Sequence, residues 1–480
     1  MEETNQIVSH SLKEIGELIR KKVISPVELI EQTFKRMDEI DPHINAFITV
    51  DKEQIMQDAK RAEKEINEGN YKGPLHGIPI GLKDMIYTKE TRTTMGSEIF
   101  DQFIPEEDAF VVQKLKEAGA IITGKQNTHQ FAYGPTGDRS FYGPVRNPYD
   151  TTKMTGGSSS GSAAAVATGM NFGALGTDTG GSVRIPASFC GIVAMKPTYG
   201  RISKNSIFPL SWNLDHVGPM TRTVEDNVLL LNAIQGYDIN DPNAIKVDSE
   251  DFSQGLKDGI KGIKIGIPRA FFYEHVHPEI TANVNKQIET LKELGAIVQD
   301  VSIQDIAQYY DAQRTILCSD AYALHKDRLE QYPDNWDDEV KERLYTAVDV
   351  MGYEYSHALQ TRQLIKRRFE ETLEEVDVLL TPTVPILPIN IDSRHVDIDK
   401  YNEEHIRWSI LKLTSPTNLT GLPSLSVPSG FSQAGLPIGV QFIGRDFSEA
   451  FLYRVGYALE QALKIPTFKQ DINMTHKVTR

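Results

Sequence analysis

The sequence predicts an α/β fold with a largely buried sheet, and three features carry that expectation. Two helix–glycine–strand units stand far apart in the chain: a helix over Val111 to Ala118, then Gly119 and Ala120-Ile121-Ile122-Thr123, and the same order over Leu291 to Val298 around Gly295. Ahead of both, His76-Gly77-Ile78-Pro79-Ile80-Gly81-Leu82-Lys83-Asp84 is short, apolar and glycine-punctuated, as a buried strand running into a loop would be. The first sixty-odd residues read as helices that need a partner surface.

The N-terminal segment, about residues 1–70, is expected to pack on the core. Ser25-Pro26-Val27-Glu28 combines an N-cap serine, a proline at the first helical position and a capping-box glutamate. Val27, Ile30, Phe34, Met37 and Ile40 follow at helical spacing, and Asp41-Pro42 is expected to end the helix. Further helices are predicted from Thr223 to Ile234, ended by Gly236, and from about Tyr353 to Glu374. The proline-bearing segment from Thr381 to His405 reads as irregular. No Gly-, Ser- or Pro-rich linker divides the chain, so residues 1–480 are expected to form one domain.

Composition narrows the function. The chain has 480 residues, 40% hydrophobic and 24% charged, as in a soluble globular protein. Its 51 basic against 66 acidic residues give a net charge of −15, which argues against direct binding to nucleic acid or an anionic membrane. A partner could still supply a basic surface near RNA. The two cysteines, Cys190 and Cys318, suit buried reduced thiols; no Cys/His cluster suggests a metal, and no cofactor is expected. Met1 to His10 is polar and acidic, unlike a signal peptide, and no run reaches the roughly 18 apolar residues of a membrane span, so the cytoplasm is the expected location.

The most unusual stretch is Thr155-Gly156-Gly157-Ser158-Ser159-Ser160-Gly161-Ser162, running into Ala163 to Ala167, a close-packing helix. Then comes Asp178-Thr179-Gly180-Gly181-Ser182-Val183-Arg184, where two glycines bring consecutive N–H groups towards one point ahead of a serine. Such a nest suits the oxyanion of acyl transfer. A flexible Gly/Ser connector is the plain alternative, but both runs lie between apolar segments, Phe172 to Leu175 and Ile192 to Met195. A P-loop lacks its Gly-Lys-Ser/Thr, and the Rossmann spacing is absent. Gly157-Ser158-Ser159-Ser160-Gly161 fits a nucleophile elbow with Ser159, but a turn at Asn147-Pro148-Tyr149-Asp150 and polar residues stand where a strand is needed, and His216 or His405 would have to act as base.

With these runs in hand, the sequence resembles the amidase-signature family. Gly77 to Asp84 looks like its lysine motif. Pro186-Ala187-Ser188-Phe189-Cys190-Gly191, Lys196-Pro197-Thr198-Tyr199-Gly200-Arg201, Asp215-His216-Val217-Gly218-Pro219 and Asn418-Leu419-Thr420-Gly421-Leu422-Pro423 look like further family segments, densest from about 75 to 235. Ser160 stands where many relatives have glycine. The resemblance implies a central mixed sheet covered by helices on both sides. It also implies a Ser–Ser–Lys triad, with Ser182 as nucleophile and Ser158 (held in relatives by a cis peptide bond) passing its proton to Lys83. The N–H groups of Thr179, Gly180, Gly181 and Ser182 would bind the oxyanion, Asp178 and Arg184 would pair to fix the loop, and Ala132 would line the scissile-bond pocket.

A lysine can serve as base only when neutral. Burial among Ile78, Ile80 and Leu82 can lower its ordinary pKa of ~10.4 by up to ~3–5 units. The plain alternatives are a Lys83–Asp84 surface pair, a turn hydroxyl at 158 and a helix cap at 182.

Within the family, the resemblance implies either a free-standing amidase with a small-molecule amide substrate or the A subunit of the tRNA-dependent amidotransferase, which releases ammonia from glutamine. Asn127-Thr128-His129-Gln130 departs from the Asn-Met-Asp-Glu of such subunits, and Leu411 stands where they place an aspartate, so the sequence favours the free-standing amidase. Arg362 suits both. A catalytically silent binding protein is a third option, opposed by the intact Lys83, Ser158 and Ser182. Phe208 to Trp212, His129 and residues 381–405 are candidate pocket walls, and a homodimer is one candidate assembly.

Overall fold

The structure, a computed structural model, describes residues 7, 9–399 and 402–465. The strands in chain order are β1 (Phe47–Thr49), β2 (Pro79–Lys83), β3 (Ile121–Gln126), β4 (Arg146–Asn147), β5 (Asp150–Met154), β6 (Gly173–Asp178), β7 (Val193–Lys196), β8 (His216–Thr221), β9 (Lys264–Pro268), β10 (Ile297–Val301), β11 (Val378–Pro382), β12 (His395–Asp399), β13 (Asn402–His405), β14 (Ser424–Phe431) and β15 (Pro437–Ile443).

Eleven of them form one sheet in the order β1-β3-β2-β6-β8-β7-β14-β15-β11-β9-β10. The sheet is mixed: β3, β2 and β6 run parallel, as do β11, β9 and β10, while the strands between pair antiparallel. Helices cover both faces, and β11 makes this plain. Val378 and Leu380 pack with Ile280, Val284 and Ile288 of the helix Pro278–Glu293, whereas Leu379 between them packs with Phe369 and Leu373 of the helix Gly352–Glu375. Alternate side chains of a strand point to opposite faces. The late strand β10 is an edge, and its residues are exposed or half-exposed, unlike the buried strand its apolar pattern predicts.

At the N-terminus the capping box at Ser25 and Glu28 forms, and the helix spans Pro26–Ile44. It therefore runs through Asp41-Pro42, contrary to the expected stop. The terminator is Asn45, in the left-handed region at φ 63°, whose N–H returns to Asp41. The Asp41 carboxylate meanwhile accepts from the N–H groups of Ala46 and Phe47. The apolar stripe also divides: Met37, Ile40 and Ile44 pack on Val145, Ala164 and Ala165, while Val27 and Phe34 are only half-buried against Ile55 and Ala59 of the helix Lys52–Asn67.

One reading of irregular chain is corrected, and a strand, β5, lies where polar Thr151 to Lys153 read against one. The 381–405 segment holds the antiparallel pair β12–β13, and residues 400–401 within it lie outside the described residues. The turn at Asn147 to Asp150 joins the antiparallel pair β4–β5, with the Asn147 side chain accepting the Tyr149 N–H. Among the described residues no helix is long and apolar enough to cross a membrane.

Candidate active site

Two parallel neighbours of the sheet set the frame. β2 and β6 pair through Ile80–Gly173 and Leu82–Leu175, so Lys83 at the end of β2 and Thr177-Asp178 at the end of β6 leave the sheet together. Lys83 is fully buried. Its Nζ donates to Ser158 Oγ at 2.7 Å, to Thr177 Oγ1 at 2.7 Å and to Thr177 O at 3.4 Å. Burial lowers its pKa to about 7, against the opposing pull of the Asp215 and Asp178 carboxylates. A neutral amine is thus accessible near neutral pH.

Ser158 precedes the helix Ser160–Ala167, and the Gly157–Ser158 peptide bond is cis. Its carbonyl accepts from Thr128 Oγ1 at 3.0 Å and from the His129 N–H at 3.3 Å, and Gly157 N–H donates to Pro135 O. The loop that carries Ala132 is thereby tied to Ser158. Ala132 itself has φ 57° and is buried.

Ser182 follows Gly181, whose φ of 131° suits glycine, and a Cβ there would come within 2.2 Å of Thr414 Oγ1. Its backbone carbonyl accepts from the Ser159 N–H at 3.2 Å, drawing the two serine loops together. Lys83 and Ser158 are sealed at 0% exposure, while Ser182 keeps 7%. Among the described residues no hydrogen bond joins Ser158 Oγ to Ser182 Oγ, so of the expected triad the lysine–serine pair is bonded and the two serines are drawn together only through backbone.

Beneath this loop lies a fully buried ion pair. Arg184 donates to both Asp178 oxygens at 3.0 and 3.1 Å, to Thr417 Oγ1, to Gln441 Oε1 and to Asn418 Oδ1. Burial alone would raise the Asp178 carboxyl, but Arg184 and Asn418 hold it well below the usual carboxylate range. Asp178 also accepts the N–H groups of Gly181 and Val183. Gly181 N–H is therefore committed to Asp178, while those of Thr179, Gly180 and Ser182 have no acceptor among the described residues.

The elbow alternative has no geometry. Ser159 Oγ donates to Thr177 O, and His216 is buried with Nδ1 on Leu214 O. Burial and the neighbouring Lys196 hold that imidazole well below its ordinary pKa. The His405 side chain lies outside the described residues. Of the candidate walls, Phe208 belongs to the core, edge-on to Phe100 and tilted against Phe131 and His325, whereas Trp212 is 46% exposed. His129 is sealed, 3.4 Å from Arg343. Leu411 lies against Gly180, and Arg362 stacks over Tyr199.

Several residues of the site had no role in the sequence reading. Asn418 and Asp215 sit in recognised segments, yet only the fold shows Asn418 gripping Asp178 and Asp215 accepting from Thr179 Oγ1 at 2.6 Å. Thr177, Gln313 and Thr414 had no sequence signal, being brought in by the sheet and by helices remote in the chain.

Fold and site together define an amide-hydrolysing enzyme. The family profile named Amidase matches residues 28–452, and the chain belongs to this amidase-signature family. In sequence it is 38% identical over 475 residues to the A subunit of glutamyl-tRNA(Gln) amidotransferase from Syntrophus aciditrophicus strain SB, covering 94% of this chain and 96% of that one. In structure it resembles the A subunit of the Thermotoga maritima glutamyl-tRNA(Gln) amidotransferase (TM-score 0.80, 33% identity, 95% of each chain). It also resembles a bacterial aryl acylamidase (TM-score 0.87, 27% identity, 96% of this chain and 99% of that one).

Proposed function

We propose that the chain cleaves a carboxylic amide through an acyl-enzyme on Ser182, with Ser158 and Lys83 as proton relay. The observation that carries this reading is the 2.7 Å bond from a fully buried lysine, poised near neutrality, to Ser158, beside Ser182, the one residue of the three that meets solvent. Ser182 Oγ attacks the carbonyl as Ser158 takes its proton and hands its own to Lys83. The N–H groups of Thr179, Gly180 and Ser182 receive the oxyanion, while Gly181 anchors the loop on Asp178 and Ala132 borders the scissile bond. Collapse returns the proton to the leaving nitrogen, and water hydrolyses the ester by the reverse relay. The enzyme works as one cytoplasmic domain in this reading.

For the substrate, likeness to amidotransferase A subunits along nearly the whole chain favours glutamine, with ammonia delivered to partner subunits, over the free-standing amidase that the sequence favours. One observation supports the second reading. Leu411 rests on Gly180 and offers an aliphatic wall where an ammonium-bearing substrate would gain from a carboxylate.

The experiment is an ammonia-release assay on the purified chain with glutamine, simple aliphatic and aromatic amides, and fluorophosphonate labelling alongside. Turnover of glutamine supports the first reading, and turnover of aryl or alkyl amides without glutamine supports the second. Failure to turn over any amide, with no label on Ser182, overturns both.

A further inference from the structure

The peptide planes ahead of Ser182 are each held from behind. Asp178 O accepts from Asn418 Nδ2 at 2.9 Å, Thr179 O from Gln313 Nε2 at 3.1 Å, Gly180 O from Thr414 Oγ1 at 2.6 Å and Ser415 Oγ at 3.2 Å, and Gly181 O from the Ile185 N–H at 2.7 Å. In a trans peptide the carbonyl of one residue and the N–H of the next point in opposite directions. Holding these four carbonyls therefore sets where the N–H groups of Thr179, Gly180, Gly181 and Ser182 point.

Gln313 is the unexpected member. It reaches the loop from the helix Tyr309–Gln331, 134 residues away in the chain, and is 6% exposed. Its Nε2 meets Thr179 O, which fixes the amide's orientation, since the reversed amide would set two carbonyl oxygens face to face. Its Oε1 is buried with no partner among the described residues. A buried acceptor left unpaired costs roughly 1–3 kcal/mol, so packing alone favours an apolar side chain of similar length at this position.

From this geometry we infer that Gln313 is a positioning residue, whose bond to Thr179 O aims the Gly180 N–H at the oxyanion. The inference rests on the acyl-enzyme reading above. Gln313 does not touch the reacting atoms. It fixes a donor that does, so its removal raises the barrier without weakening ground-state binding.

Two variants test it, with the amide that the wild type turns over. Gln313→Met should lower kcat about 10- to 100-fold, less than the roughly 100- to 1,000-fold loss when an oxyanion donor is removed outright, with KM changed less than about two-fold. Its melting temperature should change little, because loss of the unpaired Oε1 offsets the Thr179 carbonyl left without its donor. Gln313→Glu gives a readout that a packing role would not move. A protonated carboxyl can still donate to Thr179 O, and an ionised one repels it. The ratio of variant to wild-type kcat should therefore be highest near about pH 5 and fall towards about pH 9.

The charged groups on the elements around it are common to both proteins: Asp178 and Arg184 under the loop, Asp215 on Thr179, Asp311 and Arg314 on its own helix, and Lys412. The ratio thus isolates position 313. Wild-type turnover with kcat unchanged in Gln313→Met, or a pH-independent ratio for Gln313→Glu, would overturn this inference alone. A wild type inert to every amide and to fluorophosphonate would overturn it together with its parent reading.

Discussion

Asp178 and Arg184 meet at 3.0 Å with neither side chain reaching solvent, directly beneath the loop that ends in Ser182. The pair also receives Asn418, Thr417 and Gln441, so one ion pair joins β6 to the C-terminal part of the sheet. Breaking it from one side strands a buried charge. Arg184→Met is expected to cost about 3–5 kcal/mol in urea unfolding. The double change Asp178→Asn with Arg184→Met should recover part of that stability without recovering amide turnover, because Gly181 and Val183 lose their carboxylate anchor.

The Lys83 amine sets a pH dependence with a definite sign. In the proposed relay its neutral form acts as base, so kcat/KM should fall about tenfold per pH unit below about 7 and level off above it. Stability follows the same shift. The folded-state pKa lies below the unfolded value of 10.5, so between 7 and 10.5 the unfolded chain binds more protons and stability rises with pH. Lys125, lowered by burial to about 8, adds the same sign between 8 and 10.5. Lys83→Met should flatten the lower part of that rise, measured by urea unfolding across the window.

The two serines should separate stability from chemistry. Ser182 Oγ makes no hydrogen bond among the described residues, so Ser182→Ala should shift stability by less than about 0.5 kcal/mol while abolishing fluorophosphonate labelling. Ser158→Ala removes the partner of Lys83 and should lower kcat by roughly 100- to 10,000-fold, leaving Ser182 as the only labelled residue, at a reduced rate.

How far the site was legible in the sequence depends on how locally each part is determined. The glycines and serines of 156–162 and 178–184 stood out because a nest and a tight approach demand those residue types in consecutive positions. Lys83 stood out through the apolar strand that buries it. Gln313, Thr414 and Thr177 are ordinary residues in ordinary segments, and nothing about their neighbours marks them. They matter only because the sheet order brings their elements to one place. The fold shows the same division: the capping box at Ser25 is local chemistry and was readable, whereas the run past Pro42 depends on Asn45 and on the Asp41 carboxylate turning back to the next strand.

Gly181 offers a steric test of the loop. A methyl group there would meet Thr414 Oγ1 at 2.2 Å and would have to be held at φ 131°. Gly181→Ala is expected to cost at least about 2 kcal/mol and to lower kcat more than it lowers folded content, by circular dichroism compared with titrated active sites.

The strands β14 and β15 come from the last part of the chain yet lie inside the sheet, between β7 and β11. Asn418, just ahead of them, carries the grip on Asp178. The loop ahead of Ser182 is therefore backed by groups that lie more than 230 residues further along the chain, Asn418 standing 240 residues beyond Asp178. A chain truncated before residue 418 would lack both inner strands and that grip, and is expected to lose folded content and amide turnover together.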